Sequence, residues 1–118
     1  MEEKEFRKLV IEAIDELPDS FKKKIDNLYV VVENFPSREI LKEQGVKSLY
    51  SILGLYQGIP VKRRGVFYTN VLPDRITIYQ KPIESLGKDA IQIKERVKEV
   101  FRHEIGHHFG FNEKELAE

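Results

Sequence analysis

The sequence predicts an α+β fold in which a helix at each end of the chain flanks short β-strands. Both end segments carry apolar residues at spacings of three and four, which is typical of a helix with one buried face. The segments with strand character lie between these helices and do not alternate with them, which argues against βαβ units. The 118 residues suffice for one independently folding core, so we assign residues 1–118 to a single domain.

The first half of the chain is predicted to form three helical segments and one strand. Residues 3–17 have a regular apolar stripe and form an amphipathic helix that the following proline ends. A short helical segment follows at 21–25. Residues 28–32 are a continuous apolar run rich in β-branched side chains, which indicates a buried central strand. Residues 37–44 are predicted to form a short helix that the next glycine ends.

The second half is predicted to contain two short strands, a helical turn and a long helix. Residues 53–56 are a short segment with Gly54 near its start and Gly58 shortly after its end, which suits a short strand at the rim of the sheet. Residues 75–79 alternate polar and apolar, as a strand with one buried face should. Residues 82–86 are predicted to form one helical turn. Residues 88–109 form the long helix, whose buried stripe we expect to consist of Ala90, Ile93, Val97, Val100 and Phe101.

The motif H-E-x-x-H lies at the end of this helix, at His103, Glu104 and His107. Two histidines four residues apart on a helix share one face and can bind one metal ion, and the glutamate after the first can deprotonate a water molecule. If the apolar stripe of this helix is continued to the motif, Glu104 falls near the centre of the buried face. An ionised carboxylate is unfavourable there unless it is paired or near a metal. The alternative is a helix end that emerges into solvent. Phe109 and Phe111 argue against it, because they continue the burial of apolar side chains.

A third zinc ligand is expected shortly after the helix. A catalytic zinc takes three protein ligands and keeps one position open for water. Gly110 is predicted to end the helix and turn the chain back towards the histidines, and Glu113 is the nearest carboxylate after that turn. Glu115 is the rival candidate. Alternatively, Glu113 is a solvated carboxylate in the first turn of a short helix capped by Asn112.

These residues resemble the minimal zincin-like metallopeptidases, small prokaryotic proteins with the pattern HExxHxxGxxD. The motif from His103 to Gly110, with its acidic residue three positions on, carries the resemblance. Residues 53–60 and 71–78 are similar to the two other characteristic segments of that family. The resemblance covers residues 53–116 well and the first fifty residues in their order of elements.

The resemblance implies a minimal zincin-like fold, with a short mixed sheet packed against the N-terminal helix and the long C-terminal helix. It implies His103 and His107 as zinc ligands, Glu104 as general base and the acidic position as third ligand. This chain has Glu113 where the family usually has aspartate, so its side chain reaches one carbon further.

The predicted function is a zinc-dependent peptidase that acts on peptides or proteins. Zinc would lower the pKa of its bound water, and Glu104 would take the proton and later return it to the leaving amine. The substrate is expected to lie extended along the strand at 53–56. Two alternatives stay open. One is a zinc-binding protein with little or no proteolysis, because so short a chain has little material for a second cleft wall. The other is a metal-free interaction module.

Composition argues against several other classes of function. Twenty basic and twenty acidic residues give zero net charge, so neither nucleic acid nor an anionic membrane is an expected partner. No apolar run approaches the roughly 18 residues that a membrane helix needs. Without cysteine no disulfide forms, and the first residues lack the order of a secretory signal. We therefore expect a cytoplasmic protein, with a monomer favoured.

Three further features of the sequence have two interpretations each. The basic run at 62–64 is expected to be a solvated loop, not a site for phosphate or an acidic peptide. His108 could donate a hydrogen bond near Glu104, but we expect it to be a packed residue at the helix end. Any of the five tyrosines could supply a hydroxyl that stabilises an oxyanion, yet most tyrosines are half-buried core residues and their spacing does not choose among them. They are Tyr29, Tyr50, Tyr56, Tyr68 and Tyr79.

Overall fold

The computed structural model describes residues 1–58 and 74–108, and it confirms the α+β class with a mixed sheet. The elements in chain order are α1 (Glu3–Asp15), α2 (Asp19–Ile25), β1 (Tyr29–Glu33), α3 (Arg38–Glu43), β2 (Gly54–Gln57), β3 (Arg75–Tyr79), α4 (Gln80–Glu84) and α5 (Ala90–His108). None of the described helices is both long enough and apolar enough to cross a membrane.

The first helix ends two residues earlier than the apolar stripe predicts. Helix α1 stops at Asp15, although Leu17 is still 97% buried, and Pro18 then becomes the residue before α2. The prolyl ring lacks an N–H and disfavours helical geometry at the residue before it, so the chain leaves α1 and restarts as a second helix. The carbonyl oxygen of Pro18 accepts hydrogen bonds from the backbone N–H groups of Phe21 and Lys22.

The strand at the centre of the described sheet is β3, and the prediction of a buried central strand at 28–32 is wrong. The strand order is β1–β3–β2, with β1 parallel and β2 antiparallel to β3. In β1 only Val32 is buried, and Tyr29 is 60% exposed. A continuous β-branched run indicates a strand, but it does not report how many neighbours that strand has, which depends on distant pairing.

Strand β3 is buried on both faces, whereas its alternating sequence predicted one buried face. Every residue from Ile76 to Tyr79 is buried. Ile76 and Ile78 belong to the main core, while Tyr79 packs on the opposite face with Leu41 and Ile52. Threonine at position 77 reads as polar in the sequence but is 99% buried, because α3 and the segment before β2 cover that face. The sheet therefore separates two apolar clusters.

The main core lies between the sheet and the helices. Helix α5 contributes five of its buried residues. Helix α5 packs against α1 and against β2. Ala90 was predicted to belong to its buried stripe but is exposed, as is Ile91. The stripe instead continues to Ile105. The buried residues of this core are Phe6, Val10, Ala13, Leu17, Phe21, Ile25, Val32, Ile76, Ile78, Ile83, Ile93, Val97, Val100, Phe101 and Ile105.

Helix α3 has the capping that its sequence predicts. The Ser37 hydroxyl accepts a hydrogen bond from the Ile40 N–H at its start. Gly45 ends it with a φ of 69°, and the N–H groups of Gly45 and Val46 bond to carbonyls of the last turn. This turn directs the chain from α3 into the segment that leads to β2.

Candidate metal centre

His103 and His107 lie side by side on the exposed face of the last turns of α5. Their ring centroids are 4.4 Å apart and the rings are inclined at 76°. Both side chains are exposed, so their nitrogen atoms are not committed to the core. Neutral imidazole is a common zinc ligand, and two such rings one helical turn apart fit a single ion. The predicted pair is therefore brought together, as its spacing requires.

The third predicted ligand, Glu113, and its rival Glu115 lie outside the described residues, as do Gly110, the basic run at 62–64 and Tyr68. Within residues 1–58 and 74–108, no three histidine, cysteine or acidic side chains form a group that could hold a metal. The described part of the chain thus supplies two imidazoles to the centre.

Glu104 faces a groove and is not enclosed in the core. The helical stripe predicted it near the centre of the buried face, but its side chain is 20% exposed while the neighbouring Ile105 is completely buried. The groove has a volume of about 480 Å³, and His103 and Glu104 form part of its wall. The carboxylate therefore keeps access to water, and the expected cost of a buried charge is largely avoided.

The groove runs between α5 and the chain that leads into β2. One wall is formed by α5, and the other by residues 44–55, including the apolar side chains of Val46, Ile52 and Leu55. Both walls therefore come from the described part of this short chain. The complete lining is Gln44, Val46, Ser51, Ile52, Leu53, Gly54, Leu55, Glu99, Val100, His103 and Glu104.

A glycine allows β2 to approach α5 at this groove. A Cβ atom on Gly54 would lie 2.4 Å from Cγ1 of Val100 and 3.1 Å from the backbone oxygen of Thr77. Both distances are too short for a side chain without displacement of the neighbours, so glycine sets the distance between strand and helix. In the described sheet β2 pairs with β3 on one side, and its other side is an edge, as predicted for residues 53–56.

His108 packs on a tyrosine of β2. Its ring is stacked on that of Tyr56, with centroids 4.2 Å apart and planes 18° apart. Its Nε2 atom is 3.9 Å from Oε2 of Glu104, which is too long for a hydrogen bond. The Tyr56 hydroxyl in turn donates a hydrogen bond of 2.5 Å to Oδ2 of Asp74. His108 is thus the last described residue of α5 and packs one ring face on Tyr56, as expected, although its side chain is 45% exposed.

The sequence did not single out Tyr56 among the five tyrosines. Tyr29 and Tyr50 are largely exposed, and Tyr79 is fully buried, where burial and the nearby Glu33 raise the pKa of its hydroxyl. Among the described tyrosines, Tyr56 is the one in ring contact with the segment that carries the motif. Its position in the predicted rim strand, as the last residue of 53–56, was the available signal, but the contact joins residues that are 52 positions apart.

Comparison with protein families supports the resemblance seen in the sequence. A family model described as zincin-like metallopeptidase matches residues 25–118, which is most of the chain. The chain therefore belongs to the zincin-like metallopeptidase family, and that membership implies zinc as cofactor and peptide or protein substrates. No curated protein matches the sequence.

Proposed function

We propose that this zincin-like metallopeptidase is a zinc-dependent peptidase whose metal is held by His103, His107 and Glu113, with Glu104 as general base. The observation that carries the proposal is that His103 and Glu104 lie in the wall of a groove, with the ring of His107 against that of His103. Family membership over residues 25–118 supports the same reaction class. Glu113 is included as the third ligand because of its position three residues after Gly110 in the sequence.

Zinc, when bound, supplies a Lewis acid for the substrate carbonyl and makes water a stronger acid. The chain itself has to move protons and hold the substrate. The Glu104 carboxylate, partly exposed in the groove, can accept a proton from a water molecule and later transfer it to the leaving amine. An amide in its place could not accept that proton.

The edge of β2 that has no partner strand among residues 1–58 and 74–108 supports a peptide substrate. An extended peptide pairs with a strand edge through backbone hydrogen bonds, which do not depend on its sequence. A peptide lying along β2 would run past the groove, since Gly54 and Leu55 line it together with Glu104. We expect one of its side chains to enter the groove against Val46 and Ile52, and we therefore propose a preference for an apolar residue near the cleaved bond.

The alternative of a zinc protein without proteolysis rested on the lack of a second cleft wall. The described residues include walls on both sides of the groove, one from α5 and one from residues 44–55. This observation favours the peptidase over the binding protein, so a peptidase is the one function that we propose.

The test uses protein purified without a histidine tag, with zinc content by elemental analysis and cleavage of a peptide library. We expect one zinc per chain and cleavage that Glu104→Gln abolishes without loss of zinc or of helical content. Glu99→Gln is the matched control, because Glu99 lines the same groove but is not part of the motif. It should retain cleavage.

His103→Ala and His107→Ala should each lose most of the zinc. Stoichiometric zinc in His103→Ala would overturn the ligand assignment. Zinc binding without cleavage of any library peptide by the wild-type chain would support the binding protein instead.

A further inference from the structure

The last turns of α5 are anchored differently on their two sides. Towards the core, Phe101 and Ile105 are completely buried. On the opposite side His103 and His107 are exposed. His108, seven residues after Phe101, lies close to the side of Phe101 and stacks on Tyr56 of the sheet. Helix ends fray because their last carbonyl groups lack intrahelical partners. A side-chain anchor near the end therefore affects how well the motif residues are held.

Tyr56 is well suited to be that anchor because several contacts hold it. It lies in β2, paired with Ile76 of β3, and it is 92% buried. Its hydroxyl is bonded to Asp74, the residue before β3. The backbone oxygen of Asp74 accepts a hydrogen bond of 2.8 Å from the N–H of Tyr29 in β1. The phenol ring is thus connected to all three strands of the described sheet.

The ring that stacks on Tyr56 belongs to the residue directly after the H-E-x-x-H motif. His108 follows His107 directly, and its imidazole is 3.9 Å from the Glu104 carboxylate. A nearly parallel ring pair restricts how the histidine ring can rotate, so the turn from Glu104 to His108 is held in one orientation relative to β2. Groups that orient metal ligands without touching the metal commonly affect its affinity.

We propose that Tyr56 and His108 are positioning residues that hold the last turn of α5 against β2, so that the metal ligands are in place before zinc binds. This inference rests on the proposed function. The ring contact itself carries the effect, and the Asp74 hydrogen bond keeps the tyrosine ring in its orientation. Neither residue is a metal ligand in this proposal.

The test is a competitive zinc titration of the full chain and its variants against a coloured chelator. Tyr56→Leu and His108→Ala should each weaken zinc binding by about tenfold, the lower end of the range for groups that orient ligands. His108→Phe should restore affinity close to that of the wild type, because phenylalanine keeps the stack without ring nitrogen atoms. Tyr56→Phe, which loses the bond to Asp74 but keeps the ring, should fall between wild type and Tyr56→Leu.

Two controls separate positioning from loss of structure. Tyr29→Leu changes a tyrosine of the same sheet that is 60% exposed, and it should leave zinc affinity unchanged. Hydrogen exchange of the metal-free protein should be faster at the amides of residues 104–108 in Tyr56→Leu and His108→Ala, while the amides of α1 keep wild-type rates. Since His108 is partly exposed, its variants should fold even if Tyr56→Leu does not.

Wild-type zinc affinity in both Tyr56→Leu and His108→Ala would overturn this inference and leave the proposed function standing. A loss in His108→Phe as large as in His108→Ala would also overturn it, because the imidazole and not the stack would then be required. A wild-type chain that binds no Zn²⁺ would overturn the proposed function, and the inference with it.

Discussion

Helix α5 has two parts that share one buried stripe but face different surroundings. In the first part, up to Val100, Lys94 and Lys98 contact the carboxylate of Glu16, the residue that follows α1, at 2.6 and 3.2 Å. In the second part, from Phe101 to His108, the positions beside the stripe carry three exposed histidines, of which His103 lines the groove together with Glu104. The apolar stripe continues through both parts to Ile105.

One long helix thus provides both stability and a candidate site. In the first part Lys94 and Lys98 are paired with Glu16, so substitutions of these lysines should act on folding. The second part leaves imidazoles and a carboxylate without commitment to the core, so substitutions there should act on metal binding. Since the stripe is continuous, the site remains attached to a rigid element, which is what a metal centre requires.

The largest expected effect is a loss of zinc affinity at the candidate metal centre. Glu113→Ala should lower zinc affinity by orders of magnitude, because two imidazoles alone are fewer ligands than a catalytic zinc takes. The helical content should not change, since the apolar stripe of α5 is intact. A competitive zinc titration with circular dichroism of the same samples measures both quantities.

Glu115→Ala is the matched control and should bind zinc as the wild type does. Glu113→Asp should also retain zinc, because the family pattern usually has aspartate there. Should Glu115→Ala lose zinc while Glu113→Ala keeps it, the third ligand is Glu115.

A pair of isoleucines tests the division of α5 directly. Ile93 in the first part and Ile105 in the second are 6% and 0% exposed. Truncation of either to alanine should lower the free energy of unfolding by about 2–5 kcal/mol, through lost apolar burial and the cavity left behind. Urea unfolding of the metal-free protein measures this loss. Zinc affinity should fall in Ile105→Ala and stay unchanged in Ile93→Ala. Equal zinc affinities in the two variants would contradict the division.

A smaller effect is expected where β2 meets the boundary between the two parts. Gly54→Ala puts a methyl group 2.4 Å from Cγ1 of Val100, whose branched side chain has little rotational freedom. Overpacking of this kind lowers the free energy of unfolding by about 1–3 kcal/mol. The double variant with Val100→Ala should be less destabilised than the sum of the single variants, because the clash is removed. Additive losses would mean that the helix and strand do not meet as described.

The smallest effect concerns the ion pairs of the first part. Hydrogen bonds from Lys94 and Lys98 hold the pKa of Glu16 below its ordinary value. A lowered folded-state pKa means that the stabilisation is present above the unfolded-state pKa and is lost as pH falls through the folded-state pKa. Glu16→Gln should therefore be slightly less stable than the wild type at neutral pH, and the difference should vanish in acid. Exposed ion pairs are weak and are screened by salt.

Thermal unfolding of both proteins across the acidic range measures that difference. High salt should reduce it at neutral pH. A difference that persists unchanged in strong acid would show that Glu16 acts through packing and not through its charge.

Much of the fold could be predicted from local patterns. The helices α1 and α5 follow from the three-and-four spacing of their apolar residues, and α3 follows from Ser37 and Gly45 at its ends. The close pair of His103 and His107 follows from their spacing on a helix. These features depend on residues a few positions apart, so the sequence contains the necessary information.

The order of the strands could not be obtained in this way. The run at 28–32 looked like the central strand, yet β3 is central among the described strands and is buried on both faces. Whether the Thr77 face of β3 is covered depends on α3 and on residues before β2, which lie more than twenty positions away. Alternation within a strand reports the chemistry of its faces and not what packs against them.

By itself, the sequence determined the α+β class, the helices and the proximity of the motif histidines, because helical geometry follows from local spacing. The tertiary structure decided that Glu104 faces a groove, that residues 44–55 form its second wall and that Tyr56 is the tyrosine stacked on His108. These contacts join parts of the chain that are far apart in sequence. They arise when strand pairing and the packing of α5 against β2 bring distant side chains together, which no periodicity in the sequence records.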